Sequence, residues 1–256
     1  MDRDYTEINS TTWDSWTEDQ CDWTIPVTHS EYMDALSGTW GVYLTPCIQV
    51  PHEWFGELAG KKVLGLASGG GQQMPIFTAL GAECTVFDYS EKQLDAERMV
   101  AEREGYDIRI IKGDMTKRLP FADETFDLIL HPVSNCYIED VYHVWNECFR
   151  VLKKGGILLA GFSNGISYLF EEDNPLLVVN KLPFNPLKMD KERYRQMADN
   201  LECIQFSHSM EEQIGGQLKA GFQLKELYED RDRENGAEIR KYAPQYMATK
   251  AVKPCD

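Results

Sequence analysis

The feature that most constrains the fold is an alternation of short apolar runs with helix-like segments, which begins near residue 61. "KKVLGLAS", "CTVFDYS", "IRIIKGDM", "FDLILHPVS" and "ILLAGF" each have the length and the apolar character of a buried strand. Segments with helical spacing and capping residues lie between them. Apolar strands that alternate with helices are typical of a parallel sheet covered on both faces, so we predict an α/β fold.

Three of the predicted helices have clear signals. "SEKQLDAERMVAEREG" begins with Ser90 as N-cap and stops at Gly105. Farther on, Ser209 and Glu212 are spaced as a capping box for "SMEEQIGGQLKAG". Another helix, which we expect to end in "KKGG", has one continuous apolar face, made by Val141, Val144, Trp145, Cys148, Phe149 and Leu152.

The two ends of the chain differ from this pattern. Residues 1–60 hold five of the six tryptophans, and residues 164–208 are irregular and rich in Pro and Asn. We therefore divide the chain into an N-terminal cap or lid at 1–60 and a main domain at 61–256, with an insertion at 164–208. The aromatic cap either binds the substrate or buries a helical layer against the sheet, and both roles can hold for different residues.

Composition restricts the partners. The net charge of −16 disfavours nucleic acid and membrane surfaces and favours a neutral or cationic small molecule. The chain has neither a bilayer-spanning apolar run nor the pattern of a signal peptide, so we expect a cytoplasmic protein. The seven dispersed cysteines suit reduced thiols, and no spacing suggests a metal site.

A glycine-rich turn follows the first strand, in "VLGLASGGGQQ". Gly69, Gly70 and Gly71 lie where a helix begins, and free backbone N–H groups point outward there. Glycine allows a ligand to touch the backbone at such a place. A tight strand-to-helix turn without a ligand has the same composition, so the turn alone leaves both readings open.

Two carboxylates follow at the ends of the next strands. Asp88 lies seventeen residues after Gly71, where an acidic side chain can accept both ribose hydroxyl protons. Because Ser90 already fills the cap position, we interpret Asp88 as a ligand residue, which leaves NAD and other nucleoside cofactors open. Asp114 lies at the same sheet edge and can accept an adenine amino group, while Met115 can contact the ring. Two carboxylates without an arginine suit a cationic nucleoside better than a pyrophosphate.

Residues 61–163 resemble the class I S-adenosylmethionine-dependent methyltransferases. The matching motifs are "LASGGG", "VFDYS", "GDM", "FDLILHPVS" and, above all, "CFRVLKKGGILLAGF". The resemblance implies a Rossmann-like, seven-stranded, mostly parallel sheet flanked by helices, completed by an antiparallel hairpin of strands at 222–229 and 246–252. It also implies an enzyme that uses S-adenosylmethionine and releases S-adenosylhomocysteine, and we expect the methyl acceptor to be a small molecule.

The resemblance further implies which residues surround the cofactor. The glycine-rich turn, with His131 and Pro132, would lie beside the methionine part and the sulfonium, Asp88 beside the ribose, and "GDM" beside the adenine. The predicted cofactor-binding residues are Ala67, Ser68, Gly69, Gly70, Gly71, Asp88, Tyr89, Ser90, Gly113, Asp114, Met115, His131 and Pro132.

The chain departs from the family pattern at two positions. Many members have an acidic residue where this chain has Gly65, and Ala67 replaces the first glycine of the turn. Loss of the acid removes a group that helps to place the cofactor's ammonium, and Asn135 or an N-terminal residue is a candidate substitute.

His131 is the candidate general base, because its strand end should face the transferred methyl group. The alternative is a histidine that only packs against the cofactor or hydrogen-bonds to it. His143 falls off the apolar face of its helix, and His208 lies in the insertion, from which it could reach over the site.

Other functions remain open at this point. A methyltransferase acting on a protein or on RNA is one alternative, and a binding protein that keeps the nucleoside site without turnover is another. A dinucleotide-dependent dehydrogenase is disfavoured, because the G-x-G-x-x-G spacing is absent and Asp114 is present.

Overall fold

The computed structural model describes residues 4–170 and 176–255 of the chain. Residues 1–3 of the predicted cap and 171–175 of the predicted insertion lie outside the described residues, as does residue 256. The α-helices are α1 (Tyr5–Glu18), α2 (His29–Leu36), α3 (Met74–Ala79), α4 (Glu91–Glu104), α5 (Val141–Val151), α6 (Lys191–Asp199) and α7 (Gly216–Ala220). The strands are β1 (Lys62–Leu66), β2 (Glu83–Asp88), β3 (Arg109–Lys112), β4 (Phe126–His131), β5 (Leu152–Ser163), β6 (Gln223–Asp230) and β7 (Tyr246–Val252).

The seven strands form one sheet in the order β3-β2-β1-β4-β5-β7-β6, which confirms the predicted fold class. The first five strands are parallel, and β7 runs antiparallel to both of its neighbours. Strand order reverses beside β1, where the chain crosses from the β2 side to the β4 side. In open α/β sheets, ligands bind outside the carboxyl ends of the strands at such a switch point.

Both faces of the sheet are covered. Helices α2 and α3 pack on one face together with residues 40–58, which contribute Leu44, Trp54 and Phe55 to a buried cluster. Helix α5 packs on the other face through Val144 and Trp145. The central strands are apolar on both faces because one face of the sheet packs against the first of these helical layers and the other face packs against the second.

Local signals account for most helix boundaries. The Ser90 hydroxyl accepts the Gln93 N–H at the start of α4, and Gly105 ends that helix at φ +73°. The capping box of Ser209 and Glu212 is also present, but it opens a five-residue π-helical turn, Glu211–Gly215, that continues into α7.

The end of α5 differs from the prediction that this helix runs into "KKGG". The helix ends at Val151, and β5 starts at Leu152, which pairs with Phe126 of β4. The lysine that follows is held by an ion pair, because Lys153 Nζ lies 2.8 Å from the Asp127 carboxylate. Cross-strand pairing therefore takes the chain out of the helix before the glycines are reached.

The first 60 residues play two structural roles. Residues 40–58 belong to the main core, where the backbone of Leu44 passes so close to Gly161 that a Cβ there would lie 2.0 Å from the Leu44 oxygen. Helix α1 lies instead across the carboxyl ends of the parallel strands. Among the described residues, no helix is both long enough and apolar enough to cross a bilayer.

Candidate functional site

The glycine-rich turn begins with a residue in a backbone conformation that favours glycine. Ala67 has φ +48°, and its N–H donates to the Phe87 carbonyl at 2.8 Å. A left-handed conformation costs an L-residue about 1–2 kcal/mol. Ala67 therefore occupies the place of the family's first glycine with its geometry retained.

Gly70 and Gly71 are buried and face helix α4. The Gly70 N–H donates to the Gln93 carbonyl, and a Cβ on Gly70 would lie 2.5 Å from Gln93 Oε1. A Cβ on Gly71 would lie 2.8 Å from Val100 Cγ2. These two glycines therefore allow close packing of the turn on α4. This is the role of a tight strand-to-helix turn, one of the two interpretations that the sequence left open.

A buried carboxylate fixes the same turn. Glu97 is fully buried on α4, accepts the Gly71 N–H at 3.0 Å and accepts the Tyr106 hydroxyl at 3.2 Å. Burial raises the pKa of Glu97 to about 7, although both hydrogen bonds act in the opposite direction. Sequence reasoning missed Glu97, yet Leu94, Glu97 and Val100 recur at intervals of three, which places Glu97 on the buried stripe of α4.

The absent acid at position 65 has a steric cause. A Cβ on Gly65 would lie 2.9 Å from the sulfur of Met74, and Met74 is completely buried. Met74 thus fills the space that an acidic side chain on β1 would need. The absence of a side chain at Gly65 therefore makes room for the Met74 side chain.

Asp88 ends β2 at the predicted place and keeps part of its surface accessible. Its Oδ2 accepts the Gly69 N–H at 2.9 Å, and its Oδ1 accepts the Ser90 N–H at 3.0 Å. Burial raises the pKa of Asp88, and these two backbone donors oppose the shift. A carboxylate has about four lone-pair sites, so each oxygen can accept a further hydroxyl proton.

The "GDM" segment follows β3 on the same edge. Asp114 accepts the Thr116 N–H at 2.8 Å through Oδ1, while its Oδ2 lies 3.9 Å from Lys117 Nζ. One oxygen of Asp114 therefore has no close partner among these contacts. Met115 is partly accessible and packs against the core beneath the sheet. Gly113 has a packing role, because a Cβ there would lie 2.3 Å from the Phe87 ring.

His131 ends β4 and is completely buried. Its Nδ1 lies 2.9 Å from the Leu66 carbonyl and its Nε2 lies 2.8 Å from the Asn135 side-chain oxygen. Burial lowers the pKa of His131, which favours the neutral ring. The Ser134 hydroxyl also lies 3.3 Å from Nδ1. The Asn135 amide nitrogen donates to Gln213 Oε1 at 2.8 Å, so the Asn135 oxygen is the atom that faces Nε2.

Helix α1 closes over this edge through polar side chains. The Ser10 hydroxyl donates to the Tyr89 carbonyl, and Asp14 accepts the Ser90 hydroxyl at 2.6 Å. Asn9 makes the longest connections in sequence, since its amide donates to the carbonyls of Tyr137 and Ile204 and accepts the Ile204 N–H. Sequence reasoning missed these residues, because helical periodicity does not disclose partners on distant loops.

Together these features place α1 against the residues that follow β2 and β4, and this region at the carboxyl edge of the sheet is called the edge recess below. The predicted cofactor residues fall into two groups. Ser68, Gly69, Gly70, Gly71, Ser90 and His131 are buried and shape the turn, the α4 cap and the β4 end. Accessible surface remains on Ala67, Asp88, Tyr89, Gly113, Asp114, Met115 and Pro132.

A group of buried hydroxyls and thiols lies close to α1. The Cys136 thiol lies within hydrogen-bonding reach of the Tyr137 and Tyr168 hydroxyls, and Cys203 and Tyr246 are close enough to affect the same groups. Burial raises the pKa of all five, so each is neutral at pH 7. This set is called the neutral wall below. In the aromatic cap, the Trp13 ring meets the Tyr137 ring edge to face at 5.6 Å.

The other candidate histidines lie away from the edge recess or are occupied. His208 is buried, with Nε2 3.0 Å from the carbonyls of Asn135 and Ile138, so it positions the loop after β4. His143 is partly buried, and its Nε2 has no hydrogen-bond partner. Within the described part of the chain, no three His, Cys, Asp or Glu side chains converge as metal ligands.

Comparison with known proteins gives consistent matches. A family model described as a methyltransferase domain matches residues 64–160. An uncharacterized methyltransferase of Bacillus subtilis, YbaJ, is 43% identical over 250 residues, which cover 96% of this chain and 97% of that protein. A ubiquinone/menaquinone biosynthesis C-methyltransferase of Cereibacter sphaeroides is 28% identical over 67% of this chain and 70% of its own length. A crystal structure of an S-adenosylmethionine-dependent methyltransferase from Mesorhizobium loti superimposes with a TM-score of 0.60 at 18% identity, covering 78% of this chain and 94% of its own.

Proposed function

Because the chain belongs to the class I S-adenosylmethionine-dependent methyltransferases, we propose that it methylates a small-molecule acceptor held in the edge recess. The single observation that carries this proposal is the arrangement of that recess. Two carboxylates, Asp88 and Asp114, follow neighbouring strands at one edge of the sheet, and α1 contacts both the residues after Asp88 and Tyr137 of the buried hydroxyl and thiol group. We infer that an edge covered by a helix in this way suits a small acceptor better than a protein or RNA segment.

The hydrogen-bond acceptors at this edge suit S-adenosylmethionine. Asp88 has two free acceptor positions for the ribose hydroxyls, and Asp114 has an oxygen for the adenine amino group. The two carboxylates also favour a cation over an anion at this edge. When bound, S-adenosylmethionine supplies an electrophilic methyl group on its sulfonium.

The chain's own contribution is positioning and exclusion of water. The turn at 67–71 is fixed by Glu97 and α4, and α1 is fixed across the strand ends by Asn9, Ser10 and Asp14. Oriented reactants can gain on the order of 7–11 kcal/mol over dilute ones, so a rigid, closed site can provide most of the catalysis.

The contacts of His131 favour positioning over the role of general base. Its Nδ1 lies against the Leu66 carbonyl, its Nε2 lies against the Asn135 side-chain oxygen, and burial lowers its pKa, so both ring nitrogens already have partners within the protein. We therefore expect kcat/KM to be flat between about pH 6 and 8, where an exposed histidine base would titrate. If kcat/KM instead showed a single ionisation in that range, and His131→Gln removed it, His131 would act as the general base.

The neutral wall limits the class of acceptor. None of its five groups is a base at pH 7, and none offers a charge to pair with an ionised substrate. We infer that this part of the site suits an uncharged portion of the acceptor. The Cereibacter relative, named as a C-methyltransferase of ubiquinone and menaquinone biosynthesis, agrees with an apolar ring-bearing acceptor.

Calorimetry with S-adenosylmethionine, S-adenosylhomocysteine and NAD tests the cofactor assignment. We expect both sulfur nucleosides to bind and NAD not to bind. Asp88→Asn should weaken both at least about tenfold, because a charged acceptor of two hydroxyls is lost. The control is Asp95→Asn, a change on the exposed face of α4. Binding of NAD alone, or normal affinity in Asp88→Asn, would contradict the assignment.

Transfer of a labelled methyl group tests the acceptor. The arms are a panel of phenols, quinols, amines and thiols, a protein extract and total RNA. Label in a small molecule supports the proposal, while label in protein or RNA contradicts it. Tight cofactor binding without transfer in any arm would favour the regulatory alternative.

A further inference from the structure

Three aromatic rings meet at the carboxyl edge of the sheet, and two of them belong to α1. The Trp13 ring packs against the Trp16 ring with centroids 5.2 Å apart, and against the Tyr137 ring with centroids 5.6 Å apart. The interplanar angles are 66° and 88°, so neighbouring rings stand nearly at right angles. All three residues keep accessible surface, because edge-to-face contacts leave ring faces open. These three residues are called the aromatic corner below.

The aromatic corner lies over the end of β1. In the sheet, β1 lies between β2 and β4. Asp14 of α1 contacts Ser90, which follows β2, and the preceding residue, Trp13, contacts Tyr137, which follows β4. Helix α1 therefore crosses the carboxyl end of β1, at the switch point where open α/β sheets bind their ligands.

Hydrogen bonds fix the backbone on both sides of the aromatic corner. The Cys21 N–H donates to the Trp16 carbonyl at 2.9 Å, and the Asn9 side-chain amide donates to the Tyr137 carbonyl at 3.2 Å. The second of these bonds joins α1 directly to the loop after β4. Rings that are already ordered lose little conformational entropy when a ligand packs against them.

The buried core does not account for these tryptophans. Among the described residues, the buried clusters on the two faces of the sheet take in Trp40, Trp54 and Trp145, but neither Trp13 nor Trp16. The two tryptophans of α1 therefore differ from the others in lying at the ligand edge with part of their surface open.

The charges beside the aromatic corner favour a cation. Asp14 is adjacent to Trp13 on α1, and Asp88 ends the neighbouring strand β2. The two carboxylates are close to each other, because burial and, after it, the negative charge of Asp14 raise the pKa of Asp88. Aromatic rings present a negative face to a cation, so the rings and the carboxylates act in the same direction.

We propose that the aromatic corner is a subsite for an onium cation, either the sulfonium of the cofactor or an alkylammonium group of the acceptor. The rings carry no charge and bind such a cation through their π systems. The inference rests on the proposed function, because it assigns a chemical group of that reaction to these rings. The two sources of the cation are distinguished by separate experiments.

Calorimetry of the full chain with S-adenosylmethionine and S-adenosylhomocysteine tests the first source. Only S-adenosylmethionine is a sulfonium, so the ratio of the two affinities isolates the contribution of that cation. Trp13→Leu keeps an apolar side chain and removes the ring. It should lower the ratio by about threefold to thirtyfold, through weaker binding of S-adenosylmethionine alone. Trp13→Phe keeps a ring and should restore most of the ratio.

Choline tests the second source, with S-adenosylhomocysteine already bound to the protein. The reference ligand is the uncharged alcohol in which a tert-butyl group replaces the trimethylammonium of choline. If the acceptor's ammonium occupies the corner, the wild type should prefer choline to this isostere, and Trp13→Leu should remove the preference.

The matched control is Trp23→Leu, the same change at a ring that is 41% exposed and already contacts Arg233, whose Cζ lies 4.0 Å from the ring centroid. It should alter neither the nucleoside ratio nor the choline preference. Melting temperature is measured in every variant, so that unfolding is not mistaken for lost affinity.

The outcomes separate this inference from the proposed function. An equal loss of both nucleosides in Trp13→Leu, an equal effect in the control, or no effect on either cation would show that the rings only pack, and would overturn the inference. If neither nucleoside bound the wild type, the proposed function would be wrong, and this inference with it.

Discussion

At the scale of single residues, Gly70 distinguishes a packing turn from a ligand turn. It has φ +93°, and a Cβ there meets Gln93 Oε1 at 2.5 Å. Gly70→Ala should lower the free energy of unfolding of the cofactor-free protein by about 1–2 kcal/mol through left-handed strain, and further because Gln93 must move away from its hydrogen bond to Thr17. Gly38→Ala is the control, since Gly38 has the same φ and nothing within 4 Å. Chemical denaturation measures both variants. If Gly70→Ala and Gly38→Ala lowered the free energy of unfolding equally, the contact with Gln93 would contribute nothing to stability.

Glu97 gives the fold a pH dependence. Its folded pKa of about 7 lies above the ordinary value of 4.5, so the folded state binds the proton more tightly. Stability from this group is present below about pH 4.5 and is lost as pH rises toward and through 7. Glu97→Gln keeps an acceptor for Gly71 but cannot ionise.

The variant should therefore gain stability relative to the wild type between pH 5 and pH 8, by on the order of 2–3 kcal/mol. Denaturant unfolding at both pH values measures the difference. Glu102→Gln, on the exposed part of the same helix, is the control and should show no such gain. A difference that does not change with pH would show that Glu97 keeps its ordinary pKa.

At the scale of elements, α1 depends on one buried amide. Asn9 is 5% exposed and satisfies the N–H and the carbonyl of Ile204 as well as the Tyr137 carbonyl. Asn9→Ala leaves these groups unpaired, at a cost of about 1–3 kcal/mol. We expect faster hydrogen exchange in residues 5–18 and unchanged exchange in α4.

The control for that experiment is Thr11→Ala. The Thr11 hydroxyl bonds only to the Glu7 carbonyl within the same helix, on its exposed side. If both variants exchanged equally fast, α1 would be held by its own helix stability and not by Asn9.

The elements also show what the sequence could and could not predict. The strands and the α4 cap follow from signals within a few residues, and all were predicted. The role of Gly70 depends on Gln93 across a tertiary contact, and the end of α5 depends on the pairing of Leu152 with Phe126. Such contacts leave no periodic trace, so the strand ends could be predicted from the sequence, while the contacts that support them and the contacts that hold α1 over them could not.

At the scale of the whole molecule, the net charge of −16 distinguishes the two cofactor forms. S-adenosylmethionine carries one more positive charge than S-adenosylhomocysteine, so the field of an acidic protein favours it at low salt. Added salt shortens the Debye length from about 30 Å at 0.01 M to about 8 Å at 0.15 M. We expect the affinity ratio of the two to fall over this range.

Calorimetry of both ligands across the salt series measures that ratio. S-adenosylhomocysteine, a zwitterion without net charge, serves as the internal control, and its affinity should change little. A ratio independent of salt would mean that only the nearby carboxylates, and not the acidic surface, act on the sulfonium.

Helix α1 also has a consequence for the order in which the chain is made. It is synthesised before its partners, which lie 79, 128 and 195 residues later, at Tyr89, Tyr137 and Ile204. The contact with Ile204 can therefore form only after residue 204 has left the ribosome, since domains fold as their segments emerge. Until then α1 lacks its full set of contacts, so the edge at which we propose that the cofactor binds is open before the helix closes over it.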